Sequence, residues 1–326
     1  LRWRAVAETQ PIAGETGAAS CLDGAGGQGA WVRSTGCRTG VESAATQLFI
    51  PVMHKSASYV LGHTDLELER LANQAQLVDP ITRRSFLEAG VAPGMRVLDV
   101  GSGAGDVSFL VTDLVGARGE VVGVDRSPIA IRTANARKAS RSLANVSFVE
   151  GDPAELQFAR PFDAVVGRYV LMFQPDPAAM LRRLATHLRP GGVLVFHELD
   201  WNGARSHPAV PTYDRSCEWI VKTLARSGAD PRFGAKLAAT MKTAGLPGAS
   251  LHLESLASAG QDSAGLAVFT ADLARSLLPE MLRLGIATAE EVGIDTLAGR
   301  IRKDMIASTS TIIGRAEIGA WVRNRV

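Results

Sequence analysis

Cysteine is scarce in this 326-residue chain: Cys21, Cys37 and Cys217 are all it has. Three thiols make no even disulfide framework and show no metal-ligand spacing, which excludes a disulfide-stapled scaffold and a zinc module. Charge of one sign is scarce too. The chain carries 35 basic against 33 acidic residues, a net of +2, without the electrostatic footprint of a nucleic-acid binder. No apolar run approaches the roughly 20 residues that span a bilayer. Arg2 and Arg4 precede no apolar core of signal-peptide length, so secretion is not expected. What remains is 46% hydrophobic and 21% charged, ordinary for a soluble globular protein. Reduced thiols, a cytoplasmic setting, no metal and no membrane insertion are the expectations.

Regular pattern is also missing from residues 1–52. Glycine, alanine, serine and threonine dominate there, no helical or alternating period persists, and the first residue is Leu1. So little apolar surface cannot offset chain entropy. The expectation is a disordered leader or a non-native upstream extension, with Met53 as the natural start. A folded N-terminal subdomain is the alternative.

The chain is organised around Val97-Leu98-Asp99-Val100-Gly101-Ser102-Gly103-Ala104-Gly105-Asp106. The apolar, β-branched run from Met95 to Val100 reads as a buried strand, and a helical pattern follows from Val107. Glycine is needed where strand turns sharply into helix and where a ligand approaches the backbone. The helix start then offers free N–H groups to a polar or anionic ligand. The dinucleotide fingerprint wants glycine at its first, third and sixth positions, but here the sixth is Asp106. A second strand, Glu120–Val124, ends in Asp125 about twenty residues on, and a carboxylate there suits a ribose diol.

Together these residues resemble the class I S-adenosylmethionine-dependent methyltransferases. Val97–Gly105 resembles their glycine motif and Asp125 their ribose-binding acid. Gly151-Asp152, after the strand Val146–Glu150, looks like their adenine-contacting acid. Phe162–Val166 resembles their fourth strand and Leu188–Leu194 the turn into the fifth. The closest flavour is the small-molecule branch that includes the ubiquinone and menaquinone C-methyltransferases. The resemblance implies S-adenosylmethionine as cofactor. It implies a binding set of Asp99, Gly101, Ser102, Gly103, Gly105, Asp125, Arg126, Gly151, Asp152, Pro153, Arg168 and Gln74. The partner implied is a small-molecule acceptor, not nucleic acid, and a homodimer is left open.

The rest of the chain fits that frame. Asp65–Leu71 begins a helix, and a second, about Pro80 to Ala89, ends at Gly90. Residues 53–94 are expected to form a helical lid, with Tyr59, His63 and Gln74 over the cofactor or substrate. Strands at 95–100, 120–124, 146–150, 162–167 and 192–199 alternate with helices at 105–116, 128–141 and 176–189, the signature of a parallel sheet with helices on both faces. Beyond 200, helices at 208–228 and 232–245, a strand at 249–256, helices at 263–284 and 288–308 and a last strand at 311–322 follow. The fold expected for 95–326 is therefore a doubly wound α/β, mostly parallel seven-stranded, Rossmann-like methyltransferase sheet. Its inserted helices, at about 205–245 and 260–308, are where a substrate pocket can form. The chain has neither internal repeats nor coiled-coil heptads.

Methyl transfer from a sulfonium is an in-line displacement, so alignment and exclusion of water dominate and no conspicuous triad is required. In the resemblance, Gly167-Arg168-Tyr169-Val170 stands where amine-methylating DNA enzymes carry an Asn/Asp-Pro-Pro-aromatic motif. No Pro-Cys pair supplies a cytosine nucleophile. Metal-dependent catechol enzymes place an aspartate ligand near Arg168, and a cation does not ligate a cation. Arg168 is either a cofactor or substrate contact or a structural ion pair. Glu198, at the end of the fifth strand, is the candidate general base if the acceptor is protonated, or else a carboxylate that holds a loop. Trp201 offers a flat wall for an aromatic acceptor, or rim packing. His187 and the run Arg132, Arg137, Lys138, Arg141 read as solvated helix faces; His207 and His252 are isolated. A nucleic-acid or protein methyltransferase, and a cofactor-fold protein that binds without methylating, stand as alternatives.

Overall fold

The computed structural model describes residues 65–260 and 264–324. The expectations for residues 1–52, for Tyr59 and His63, and for the Gln74 side chain lie outside the described residues. The first element is a helix, α1 (Asp65–Ala89), with Pro80 inside it. Two helices meeting at Pro80 were expected, and one continuous helix is found. A proline in a helix removes one hydrogen bond and strains the preceding turn, but here burial carries the helix through. Val78, Ile81, Phe86 and Ala89 are all buried on one stripe.

The alternating core then runs β1 (Arg96–Val100), α2 (Asp106–Val115), β2 (Glu120–Asp125), α3 (Pro128–Ser140), β3 (Val146–Glu150), β4 (Phe162–Arg168), α4 (Pro177–Ala185) and β5 (Leu188–Asp200). Local chemistry sets the helix starts. Ser127 caps α3 and Asp176 caps α4, each followed by a proline at the first helical position, where its missing N–H is no loss. The remainder is β6 (Arg205–His207), α5 (Pro211–Arg226), α6 (Leu237–Thr243), β7 (Ser250–Ala259), α7 (Ala264–Arg283), α8 (Ala289–Val292), α9 (Leu297–Ala307) and β8 (Thr311–Arg323). One helix was expected over 288–308. The chain makes two, because Gly293 takes the left-handed conformation and ends α8.

The sheet order is β3-β2-β1-β4-β5-β8-β6, with β7 on the other side of β8. The first five strands are parallel, and β8 runs antiparallel to β5, β6 and β7. To the seven strands expected, the structure adds the short β6. It continues the edge that β5 began: β5 pairs with Ala316–Arg323 of β8, and β6 with Thr311–Ile313. Alternation along the strands divides the core between the two faces. Val97, Ala164, Val193 and Val195 pack with Phe86 of α1 on one side. Leu98, Val165, Leu194 and Phe196 pack with Leu181 and Leu184 of α4 on the other. Helix α1 lies so close to β8 that a Cβ built on Gly319 would fall 1.8 Å from the Ser85 hydroxyl. Only glycine fits there.

Strand β1 lies between β2 and β4, so the direction of winding reverses between β1 and β4. In such sheets ligands bind beyond the carboxyl ends of the strands, at that switch.

Candidate functional site

The loop from β1 to α2 is built as its glycines require. Gly101, Gly103 and Gly105 have φ of 66°, 53° and 93°, in the left-handed region that a side chain resists. Gly101 has a second reason to lack a side chain, since its Cβ would lie 2.8 Å from Val170 Cγ2 in the turn after β4.

Hydrogen bonds stitch the three neighbouring strand ends together. Asp125 Oδ2 accepts the Gly103 N–H at 2.9 Å, and its Oδ1 accepts Ser127 N–H at 2.8 Å. The Ser102 N–H donates to the Val124 carbonyl, and the Gly151 N–H to the Asp125 carbonyl, both at 3.0 Å. Asp152 accepts the Ala154 N–H at 2.9 Å and pairs with Arg126. Pro153 gives its carbonyl to His187, 2.9 Å away. The structure therefore brings Gly101–Gly105, Asp125, Arg126, Gly151, Asp152 and Pro153 to one rim.

Beneath that rim lies Asp99, fully buried. Its Oδ2 accepts the Ser108 hydroxyl at 2.5 Å, while Oδ1 has no partner. Burial raises its carboxyl to about 7 against the pull of that hydrogen bond. The buried Ser102 hydroxyl is likewise unpartnered. Buried polar atoms without partners are uncommon and ask for an explanation.

Two other expected residues make contacts within the fold. Arg168 is an ion-pair residue: its Nη1 donates to Asp79 Oδ1 at 2.7 Å and to the Thr82 hydroxyl at 3.0 Å, tying α1 to the end of β4. Glu198, expected as a general base or as a carboxylate that holds a loop, makes contacts with a turn. It is 0% exposed, and its Oε1 accepts the N–H groups of Val170 and Leu171 at 2.9 and 2.8 Å. Burial lifts its carboxyl to about 8 despite hydrogen bonds from Leu171, Val170 and Met172. This carboxyl holds the turn whose Val170 side chain covers Gly101.

Arg137 is not on a solvated face. Its guanidinium takes the Ala104 carbonyl and the Asp106 carboxylate, each at 2.7 Å, so α3 clamps the glycine loop. Arg141 lies 4.4 Å over the Phe109 ring. His187 is half-buried against Phe158 rather than solvated. His252 sits between Glu88 and Glu254, at 2.8 and 2.6 Å.

Sequence reasoning missed a buried network beside this rim. Tyr169 donates its hydroxyl to Glu317 Oε2 at 2.6 Å. His197 Nε2 lies 3.0 Å from the same oxygen, and its Nδ1 3.0 Å from the Thr82 hydroxyl. Arg315 Nε donates to Glu317 Oε1 at 2.8 Å. Burial works against the Glu317 charge, but Arg315, His197 and Tyr169 hold its carboxyl down at about 2. Burial also lowers His197, so the imidazole is neutral near pH 7. The available signal was Arg315-Ala316-Glu317 inside an otherwise apolar strand, since charges there are almost never buried unpaired.

Residues 92–227 match the protein-family model of a methyltransferase domain. Among curated relatives, the demethylmenaquinone methyltransferase of Lactococcus lactis is 30% identical over 142 residues, which are 43% of this chain and 54% of that protein. The aklanonic acid methyltransferase DauC of a Streptomyces species is 37% identical over 118 residues, covering 36% of this chain and 54% of that protein. The arsenite methyltransferase of Aquipseudomonas alcaligenes is 40% identical over 114 residues, 32% of this chain and 33% of that protein. The chain thus spans about half the length, or less, of these relatives.

Proposed function

We propose that this chain, which carries a methyltransferase domain over residues 92–227, moves a methyl group from S-adenosylmethionine to a small organic acceptor. The observation that carries the reading is the pair of unpartnered buried atoms, Asp99 Oδ1 and Ser102 Oγ, under a loop of three left-handed glycines. A ligand with a polar, cationic end fits there, because it would supply the missing partners and neutralise a buried carboxyl. When bound, S-adenosylmethionine supplies a methyl already activated on sulfur.

The chain's own residues then have positioning work. Gly101, Gly103 and Gly105 let the methionine portion approach the backbone. Asp125, at the end of β2, accepts from ribose hydroxyls, and Gly151-Asp152, at the end of β3, faces the adenine. Arg126 pairs with Asp152 and steadies it. Glu198 and Arg137 fix the loop from opposite sides. Holding two reactants in line is worth about 7–11 kcal/mol of barrier, which makes a rigid loop more useful here than an added base.

The relatives named above for demethylmenaquinone, aklanonic acid and arsenite support a small acceptor. A net charge of +2 gives no support to a nucleic-acid substrate. A cytoplasmic setting goes with the reading: Cys217 is buried, and burial pushes its thiol up to about 12, out of reach of ready oxidation. Among the described residues no helix is long and apolar enough to cross a membrane.

The test has two arms. Calorimetry with S-adenosylhomocysteine should give saturable binding that Asp125→Ala weakens at least about tenfold, as expected for hydrogen bonds to a charged group. Incubation with methyl-labelled S-adenosylmethionine and a panel of small phenols, acids and quinols should transfer label. Binding without transfer to any acceptor would leave a cofactor-fold protein that does not methylate; absence of binding would end the reading.

A further inference from the structure

The network beside the cofactor rim contains a cation whose hydrogen-bonding capacity is incompletely used. Arg315 lies on β8 one residue beyond the end of its pairing with β5, where Asp200 meets Ala316. It is 5% exposed. Nε donates to Glu317 Oε1 at 2.8 Å and Nη2 to the Tyr169 hydroxyl at 3.0 Å. Nη1 has no acceptor among the described residues, and it is not among the sealed, unpartnered atoms. It is therefore the nitrogen that keeps an opening.

Three aromatic rings surround the guanidinium carbon, Phe269 of α7 at 5.0 Å, Tyr169 at 5.1 Å and Trp201 at 5.4 Å. Trp201 is 5% exposed, and its Nε1 is buried without a partner. A second donor in the same cluster is thus unused. The rings come from the turn after β4, the turn after β5 and an inserted helix, all at the carboxyl edge of the sheet.

Tyr169 holds this cluster next to the cofactor loop. Its φ is 56°, a conformation that non-glycine residues rarely take. Strain of that kind collects at sites where function needs one geometry. The conformation is fixed at both ends of the residue: the N–H donates to the His197 carbonyl at 2.9 Å, and the hydroxyl donates to Glu317. The next residue is Val170, which covers Gly101.

We propose that Arg315 and Trp201 form the recognition subsite for the acceptor, and that they take a flat aromatic carboxylate. A carboxylate has two oxygens to accept from the two unused donors of this cluster, whose guanidinium carbon and indole ring lie 5.4 Å apart, one of the donors belonging to a permanent cation. Glu317 already neutralises much of the Arg315 charge, so recognition comes from directed hydrogen bonds in a desolvated place rather than from long-range attraction. The rings supply apolar walls to a planar body. The proposal rests on the methyl-transfer reading, since it is the acceptor that this subsite would hold.

The experiment titrates 2-naphthoate and its neutral isostere 2-naphthamide into protein saturated with S-adenosylhomocysteine. The expected result is that 2-naphthoate binds at least about tenfold more tightly, the difference one charge-assisted hydrogen bond makes. Trp201→Phe keeps a ring and removes Nε1. It should shrink that preference about three- to tenfold. Arg315→Gln should abolish the preference; if it fails to fold because Glu317 loses its partner, the Trp201→Phe comparison still decides. Equal binding of the two probes to the wild type, or an unchanged preference in Trp201→Phe, overturns the subsite. Failure of S-adenosylhomocysteine itself to bind is a separate result, which overturns the methyl-transfer reading and this proposal with it.

Discussion

Glu198 Oε1 accepts the N–H of Val170 at 2.9 Å, and the Val170 side chain stands where Gly101 would otherwise carry a Cβ. A carboxyl group on β5 thus acts on the glycine loop after β1 through the turn after β4. Its second oxygen is buried and unpartnered, so the group is under no need to be charged.

That geometry sets the first prediction. The Glu198 carboxyl is raised from 4.5 to about 8 in the fold, so between those values the native state binds the extra proton. Stability from this group is full below about pH 4.5 and is lost as pH rises through about 8. Glu198→Gln keeps an oxygen for the two N–H groups and removes the titration. Denaturation curves should show the mutant's stability flatter than the wild type's between pH 5 and 8. Glu198→Ala, which leaves two buried N–H groups unpaired, should cost about 1–3 kcal/mol for each. A catalytic base would behave otherwise: turnover in Glu198→Gln would fall about 10²–10⁴-fold with stability unchanged.

The glycine loop gives a second prediction, read on the ligand-free protein. Gly101→Ala must hold a side chain at φ 66° and also displace Val170, whereas Gly103→Ala has open space at φ 53°. Backbone strain alone costs about 1–3 kcal/mol, and the clash adds to it only at Gly101. Thermal melts should rank Gly101→Ala below Gly103→Ala, and both below wild type. Equal melting temperatures would mean that Val170 gives way freely.

How much of this was legible in the sequence follows from distance along the chain. The glycine loop, Asp125 and Asp152 were legible because local rules govern them: each needs only a strand end and the turn after it. The strand and helix alternation was legible for the same reason. Glu198 was legible as either a base or a carboxylate that holds a loop, but the groups it holds were not, because they are backbone groups 27 and 28 residues away. The pairings His197–Glu317 and Tyr169–Glu317 span 120 and 148 residues, and only the strand order brings them together. Arg137 was misread because the inward stripe of its helix, Ala130, Ile131 and Ala134, is short and made mostly of alanine; Arg137 continues that stripe, and its partner Asp106 lies 31 residues upstream.

A third prediction concerns the seat of α1. Arg168, with a side chain 6% exposed, pairs with Asp79, whose side chain is 34% exposed. A double-mutant cycle with Arg168→Gln and Asp79→Asn should give a coupling energy of about 0.5–3 kcal/mol, at the lower end because water reaches one partner. If Arg168 instead reads the cofactor, Arg168→Gln will weaken S-adenosylhomocysteine binding and Asp79→Asn will spare it. The ion-pair assignment expects the two to act alike.

The last prediction uses the buried carboxyl under the glycine loop. Burial raises Asp99 to about 7, so near pH 7 part of the ligand-free population carries a proton there. Its Oδ1 is without a partner, and the proposed cofactor presents a cationic ammonium. A cation brought close favours the charged carboxylate and lowers its pKa, which expels that proton. Calorimetry of S-adenosylhomocysteine binding at pH 7, repeated in buffers of different ionisation enthalpy, should therefore show release of a fraction of a proton. Asp99→Asn keeps an oxygen for Ser108 but cannot titrate, so subtracting its proton balance isolates this group from any other. The release should vanish in the mutant, and the affinity should fall because an amide nitrogen cannot accept from the ammonium. The same proton balance in wild type and Asp99→Asn would show that no cation reaches Asp99. The loop would then hold its ligand by some other part.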